Sequence, residues 1–217
     1  MGASTWMLVY SNGNAGEVLR QKPELDRAKS LKFAEALFPE TRFRALEEVD
    51  LSNTRPRGRD IHVGCYGDVS IVAAKEFGRD HPSKLSDAFV RTEFGDTLCL
   101  HAMHSVVDFF AYAIWRDGVL TRSLSLSPDS GIIEDIGEAQ EFEQPYWAGE
   151  RPVVDDADES AEAYPLPFHP LELGEAALLE LFGYQLEALV DRTQVQPEDL
   201  PMIRLKRSRK WRLSWRS

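Results

Sequence analysis

Apolar residues recur along this chain at two spacings, and the change from one to the other marks out its elements. Residues 5–10 (TWMLVY) form a short apolar run stopped by Ser11-Asn12-Gly13-Asn14, a turn-favouring sequence, and read as a strand. Beyond Asp26, a capping residue, Leu31, Ala34, Leu37 and Phe38 fall three or four apart until Pro39, which predicts a helix with one face on a sheet. A second strand is expected over 41–49, then a polar loop at 53–59 (NTRPRGR). Residues 61–65 and 69–74 flank Tyr66-Gly67-Asp68 as a hairpin, and a short helix is expected over 83–93.

The middle of the chain is the most regular. Residues 97–100 and 106–115 are rich in aromatic and β-branched residues and read as central strands, with a break near 102–105. Asp117-Gly118 then turns the chain, and Leu120, Leu124 and Leu126 alternate with Thr121, Ser123, Ser125 and Ser127 as a second hairpin. Residues 150–163 read as a solvated acidic loop. The segment 164–170 (YPLPFHP) is extended by its prolines, and a helix over 171–182 ends at Gly183. Strands between helices, with no repeat and no convincing linker, predict an α+β fold: a mostly antiparallel sheet with helices packed on one face. The expected organisation is a single domain over 1–203 followed by a basic, Trp-containing strand or tail over 204–217.

Composition changes this picture at one place. The 217 residues carry a net charge of −11, which argues against nucleic-acid binding as a whole-domain property. Seven of the 25 basic residues lie between Arg204 and Arg216, where there is no acid, leaving 18 basic against 36 acidic groups, a balance of −18, in 1–203. Lys210 to Arg216 alternates basic or polar residues with Trp211, Leu213 and Trp215, a half-buried strand pattern. The tail therefore predicts either a strand against the acidic body or, through Arg204, Lys206, Arg207, Arg209, Lys210 and Arg212, a nucleic-acid contact. Two cysteines exclude a disulfide framework and fit a reducing cytoplasm. No apolar run is long enough to span a bilayer, so no membrane partner is expected.

Four constellations could carry chemistry. His101, His104 and Asp108 (LHAMHSVVD) would converge on a helix; on a strand the two histidines oppose each other and His104 shares a face with Asp108, but the break expected near 102–105 could turn both imidazoles into one pocket. They are candidate catalytic groups and, with His169, candidate ligands for a divalent metal, set against ordinary hydrogen bonding at a strand bend. Ser127 and Asp129 (SLSPDSG), followed by Glu134, could hold a small polar ligand or simply build a turn. Tyr146, Trp147, His169 and Glu172 could line a groove or pin a loop to the core. The basic tail is the fourth. There is no Gly-x-Ser-x-Gly elbow, no His-Glu-x-x-His and no Cys-x-x-Cys, so no recognised catalytic motif is present, and Asn12-Gly13-Asn14-Ala15-Gly16 is only a weak phosphate-loop likeness.

The runs LHAMHSVVDFF, SLSLSPDSGIIEDIG and YPLPFHPLELGE, with the opening MGASTWMLVYSNGN, resemble an uncharacterised actinobacterial family, a domain of unknown function. The resemblance spans the chain to about Leu205 and implies a single cytoplasmic bacterial domain without supplying an activity. The hairpin YAIWRDGVLTRSLSLS is more faintly similar to bacterial immunity-like families, which implies protein binding. The leading expectation is a non-enzymatic binding or regulatory module. A metal-assisted hydrolase built on His101, His104, Asp108 and His169, and nucleic-acid binding through the tail, are the alternatives.

Overall fold

A computed structural model describes residues 2–153, 164–187 and 191–209. Strand β1 (Ser4–Ser11) is followed by two helices, α1 (Ala15–Arg20) and α2 (Arg27–Leu37). The Asn14 side chain caps α1 and that of Asp26 caps α2, each accepting a backbone N–H in the first turn, so the NGNAG segment serves a helix start. Strands β2 (Thr41–Asp50), β3 (Asp60–Tyr66) and β4 (Val69–Ala73) follow. Next comes an irregular stretch with short 3₁₀ turns at Pro82–Lys84 and Thr92–Phe94, where the sequence predicted one helix.

A meander of β5 (Thr97–His104), β6 (Phe109–Arg116), β7 (Val119–Ser127) and β8 (Gly131–Gly137) then leads through the one-turn α3 (Gln144–Trp147) to α4 (Pro170–Phe182) and β9 (Pro201–Arg209). The break predicted near 102–105 falls later, because β5 continues through His104. Asp117 and Gly118 both adopt positive φ, 48° and 77°, the backbone that a two-residue primed turn requires. Gly183, at φ 80°, caps α4 in the left-handed conformation.

The nine strands form one antiparallel sheet in the order β2-β9-β3-β4-β1-β5-β6-β7-β8. The last strand therefore enters between two earlier ones. This placement carries the basic segment into the sheet. Strand β9 runs across the expected boundary at 203/204, and Arg204, Lys206 and Arg207 belong to the domain. Residues 154–163, 188–190 and 210–217 lie outside the described part, and with them Lys210, Arg212 and the Trp-bearing alternation.

Both faces of the sheet are buried, and the helices divide between them, in contrast to the one-face packing expected. Met7, Val9, Ile71, Phe110 and Tyr112 point to the side covered by Leu19 of α1 and by Leu173, Ala177 and Leu178 of α4. Their strand neighbours Leu8, Tyr10, Val72 and Ala111 point to the other side, where Phe33, Ala34 and Leu37 of α2 pack. Leu31, expected on that core face, is 39% exposed, and Phe33 takes its place. A register shift beside Trp115 makes Thr121 an extra residue in β7, so Leu120 faces the α2 side while Leu124 and Leu126 face the α4 side. The same bulge turns Arg122 inward beside Tyr112.

Candidate functional site

One end of the sheet collects most of the polar residues singled out by the sequence. There β1 begins opposite the end of β5, with Ser4 paired to His104, and His104 is paired in turn to Phe109 at the start of β6. Strands β7 and β8 meet at the same end, where Ser127 is paired to Gly131. Trp6 stands in the middle of this end. Its backbone N–H donates to the Thr54 carbonyl (2.9 Å) and its own carbonyl accepts from Ala74 (3.0 Å), which ties the loop after β2 and the end of β4 to β1.

The Trp6 indole forms a wall shared by two cavities. On one side is a cleft of about 990 Å³, bordered by Asn53, Arg55, Arg57, His62 and Lys75. On the other is a pocket of about 370 Å³, bordered by His104, Phe109, Ser127 and Asp129. The Arg55 guanidinium lies 4.7 Å from the indole centroid, a cation–π contact, and the His104 ring runs parallel to the indole within 10°. Partial burial and the nearby Arg55 charge lower the His104 pKa, which favours the neutral imidazole. Gly78 fits against the indole edge, where a Cβ would fall 2.5 Å from Nε1.

His101 and His104 point to opposite faces of the sheet, because they are three residues apart on an extended strand. His101 is fully buried between Phe110 and Phe182. Its Nε2–H donates to the Gly174 carbonyl of α4 (3.0 Å), which leaves Nδ1 to accept from the Thr5 hydroxyl (2.6 Å). Both ring nitrogens are thus occupied, and burial pushes the pKa down to about 4. The expected cluster of His101, His104, Asp108 and His169 is not assembled. Among the described residues, no three His, Cys, Asp or Glu side chains are grouped to hold a metal.

Asp108 and His169 do come together. Asp108, at φ 46° in the turn after β5, places its carboxylate 3.6 Å from His169 Nε2. His169 caps α4 by accepting the Leu171 N–H at Nδ1 (3.3 Å), so the neutral ring carries its proton on Nε2, toward Asp108. Nδ1 is thereby committed to the helix cap, while the 3.6 Å separation of Nε2 from Asp108 is longer than a hydrogen bond. Tyr164 stacks on the His169 ring, its hydroxyl is buried without a partner, and burial, reinforced by Asp108, raises its pKa to about 12.

The remaining sequence candidates divide between pocket and scaffold. Ser127 and Asp129 border the His104 pocket, and the Ser127 hydroxyl also accepts the Ser130 N–H (3.2 Å) in the turn. Glu134 is held by the Ser83 N–H (2.9 Å), the Ser83 hydroxyl and the Ser123 hydroxyl, and so fastens the irregular stretch to the sheet. Burial opposes its ionisation, but those hydrogen bonds outweigh it and lower the pKa. The Tyr146 hydroxyl donates to the Glu172 carbonyl (3.0 Å), Trp147 Nε1–H donates to Glu143 (3.1 Å), and both rings pack on Phe168. Tyr146, Trp147 and Glu172 therefore pin the loop to α4.

Two of the four basic residues of β9 are paired inside the molecule. Arg204 binds Asp60 (2.8 Å) and Glu47 (2.9 Å), while Arg207 binds Glu76 and lies 4.9 Å from the Phe38 centroid. Sequence reading missed Trp6, Arg55, Arg57 and Lys75. The legible signal was NTRPRGR itself, where Pro and Gly hold cations apart in a loop of an otherwise acidic protein.

No helix among the described residues is long and apolar enough to cross a membrane. No curated protein and no solved structure matches the chain. A model described as a family of unknown function (DUF6928) matches residues 5–205, the whole sheet from β1 into β9. The chain belongs to that family of unknown function.

Proposed function

We propose that this protein is a non-enzymatic binding module that takes a small ligand in the cleft beside Trp6. One observation carries the reading: a cavity of about 990 Å³ is walled by Trp6, a residue whose backbone is held by hydrogen bonds on two sides. A site of this size, largely formed before ligand arrives, loses little conformational freedom on binding. Catalysis by His101 is disfavoured because both of its ring nitrogens are hydrogen-bonded within the fold, and His169 uses Nδ1 to cap α4. Nucleic-acid binding through β9 is disfavoured by the internal pairing of Arg204 and Arg207. A cytoplasmic location fits Cys65 and Cys99, which are both free and buried.

A thermal-shift screen of the purified protein against a panel of anionic, neutral and cationic metabolites tests the reading. At least one compound is expected to raise the unfolding temperature and to move the Trp6 indole N–H resonance. A panel in which no compound does both removes the cleft as the functional site. Turnover of generic ester or phosphoester substrates that disappears in His104→Ala would instead restore the enzyme reading.

A further inference from the structure

The cleft's cationic lining carries the argument one step further, on the basis that the cleft binds a ligand at all. We infer that this ligand is an oxyanion, a small molecule bearing phosphate or carboxylate groups, held by Arg55, Arg57 and Lys75. These three side chains border the cleft, and among the described residues none has a carboxylate within ion-pairing distance. Other exposed cations among the described residues, Arg59 and Lys206 for example, also lack such a partner; what sets these three apart is that they share one cavity. Arg122, Arg204 and Arg207 are all paired to acids, in a protein whose acids outnumber its basic residues by 36 to 25. Unpaired cations concentrated in one concave site, against a net charge of −11, focus a positive potential there and favour an anionic guest.

The supports of these cations point the same way. Arg55 is stationed over the Trp6 ring, which holds the guanidinium at the wall while leaving its N–H edges available for bidentate hydrogen bonding. The preceding residue, Thr54, is fully buried in the cleft wall and its hydroxyl has no partner among the described residues, an unmet donor beside the cations. Acids are present as well: Glu187 and Glu198 border the cleft, and one oxygen of Glu187 already accepts the Ala3 N–H (2.6 Å). Arg204 lies at the same border but is committed to Asp60 and Glu47.

Isothermal titration with inorganic pyrophosphate, citrate and glucose tests the inference on the full chain. Pyrophosphate or citrate is expected to bind, with affinity falling as salt rises and at least tenfold lower in R55Q/R57Q/K75Q. The stronger of the two tells phosphate from carboxylate chemistry. The three side chains are exposed, so the variant's unfolding temperature should match that of the parent. Lys206→Gln, an exposed cation of β9 that does not border the cleft, should bind as the parent does. Anion binding that is unchanged in the triple variant, or equally weakened in Lys206→Gln, overturns the inference. So does a cleft that takes neutral compounds in the metabolite screen but neither anion, a result that leaves the binding module standing; no ligand of any charge removes both.

Discussion

Arg122 and Glu143 form a buried, two-point ion pair, with Nη2 donating to Oε2 at 2.6 Å and Nε donating to Oε1 at 2.9 Å. Neither side chain is more than 1% exposed. Glu143 also accepts from Tyr112, from the Gln140 N–H and from Trp147, while Arg122 reaches Asp135 and the carbonyls of Ile136 and Gly137. Burial works against the Arg122 charge, but the bonds to Glu143 and Asp135 outweigh it and raise its pKa. The network joins β6, β7 and β8 to the segment that enters α3.

Removing one partner leaves the other charge buried and unpaired. Arg122→Leu is therefore expected to lower stability by about 3–5 kcal/mol. Combining it with Glu143→Leu should recover part of that loss, because no lone charge then remains. Urea unfolding of the two variants decides the matter; a double variant less stable than Arg122→Leu would show that the pair is not what the site loses.

His101 makes stability depend on pH in a known direction. Its folded pKa of about 4 lies below the ordinary value of 6.5, so the unfolded chain takes up a proton first. The stabilisation is complete above pH 6.5 and is lost as pH falls toward 4, a change on the order of 3 kcal/mol from this group. Denaturation midpoints at pH 7 and pH 5, with the imidazole shift followed by NMR in the folded protein, provide the check. A His101 signal that titrates near 6.5 contradicts the buried, doubly bonded ring.

Gly78 is the narrow point behind the Trp6 wall. An alanine methyl there would lie 2.5 Å from Nε1 and 2.7 Å from Cδ1 of the indole, and the ring must move. Gly78→Ala is expected to cost about 1–3 kcal/mol, as overpacking does. It should also shift the Trp6 indole resonance and weaken any ligand of the cleft. An unaltered resonance would mean that the glycine is not what positions the ring.

Glu175 on α4 carries a buried oxygen without a partner, while its other oxygen accepts the Leu186 N–H at 2.7 Å. Burial raises its pKa and outweighs the backbone hydrogen bonds from Leu186 and Glu187 that favour the carboxylate. An acid whose folded pKa is raised loses stability as pH climbs from its ordinary value through the raised one. Glu175→Gln keeps an acceptor for Leu186 and removes the charge, so it should be at least as stable as the parent at pH 7. Below pH 4, where the parent carboxyl is protonated, the difference should vanish; an advantage that persists there assigns the effect to packing rather than charge.

Local physics made much of this fold legible. The Asp117-Gly118 turn, the Asp26 cap, the Gly183 stop and the helix after Pro170 each follow from residue types whose backbone preferences act over a few positions. Alternation on a strand would separate His101 from His104, but the break expected near 102–105 left both free to face one pocket, and only the continuation of β5 through His104 sets them apart. Membership of the family is likewise legible without the fold, because a match over residues 5–205 needs only the order of residues.

Only the tertiary structure decided what stands beside what. The sequence cannot say that β9 enters between β2 and β3, which brings Arg204 to Asp60 across 144 residues, nor that helices cover both faces of the sheet. The bulge at Thr121, a one-residue shift between strands, is likewise what turned Arg122 toward Glu143. The Trp6 cleft arises where β1, β4 and the 52–58 loop meet, and its residues show no periodicity because they are neighbours only in space. Preferences of single residues set the elements, whereas pairing between distant strands set the site, and such pairing rests on the packing of the whole sheet rather than on any local run.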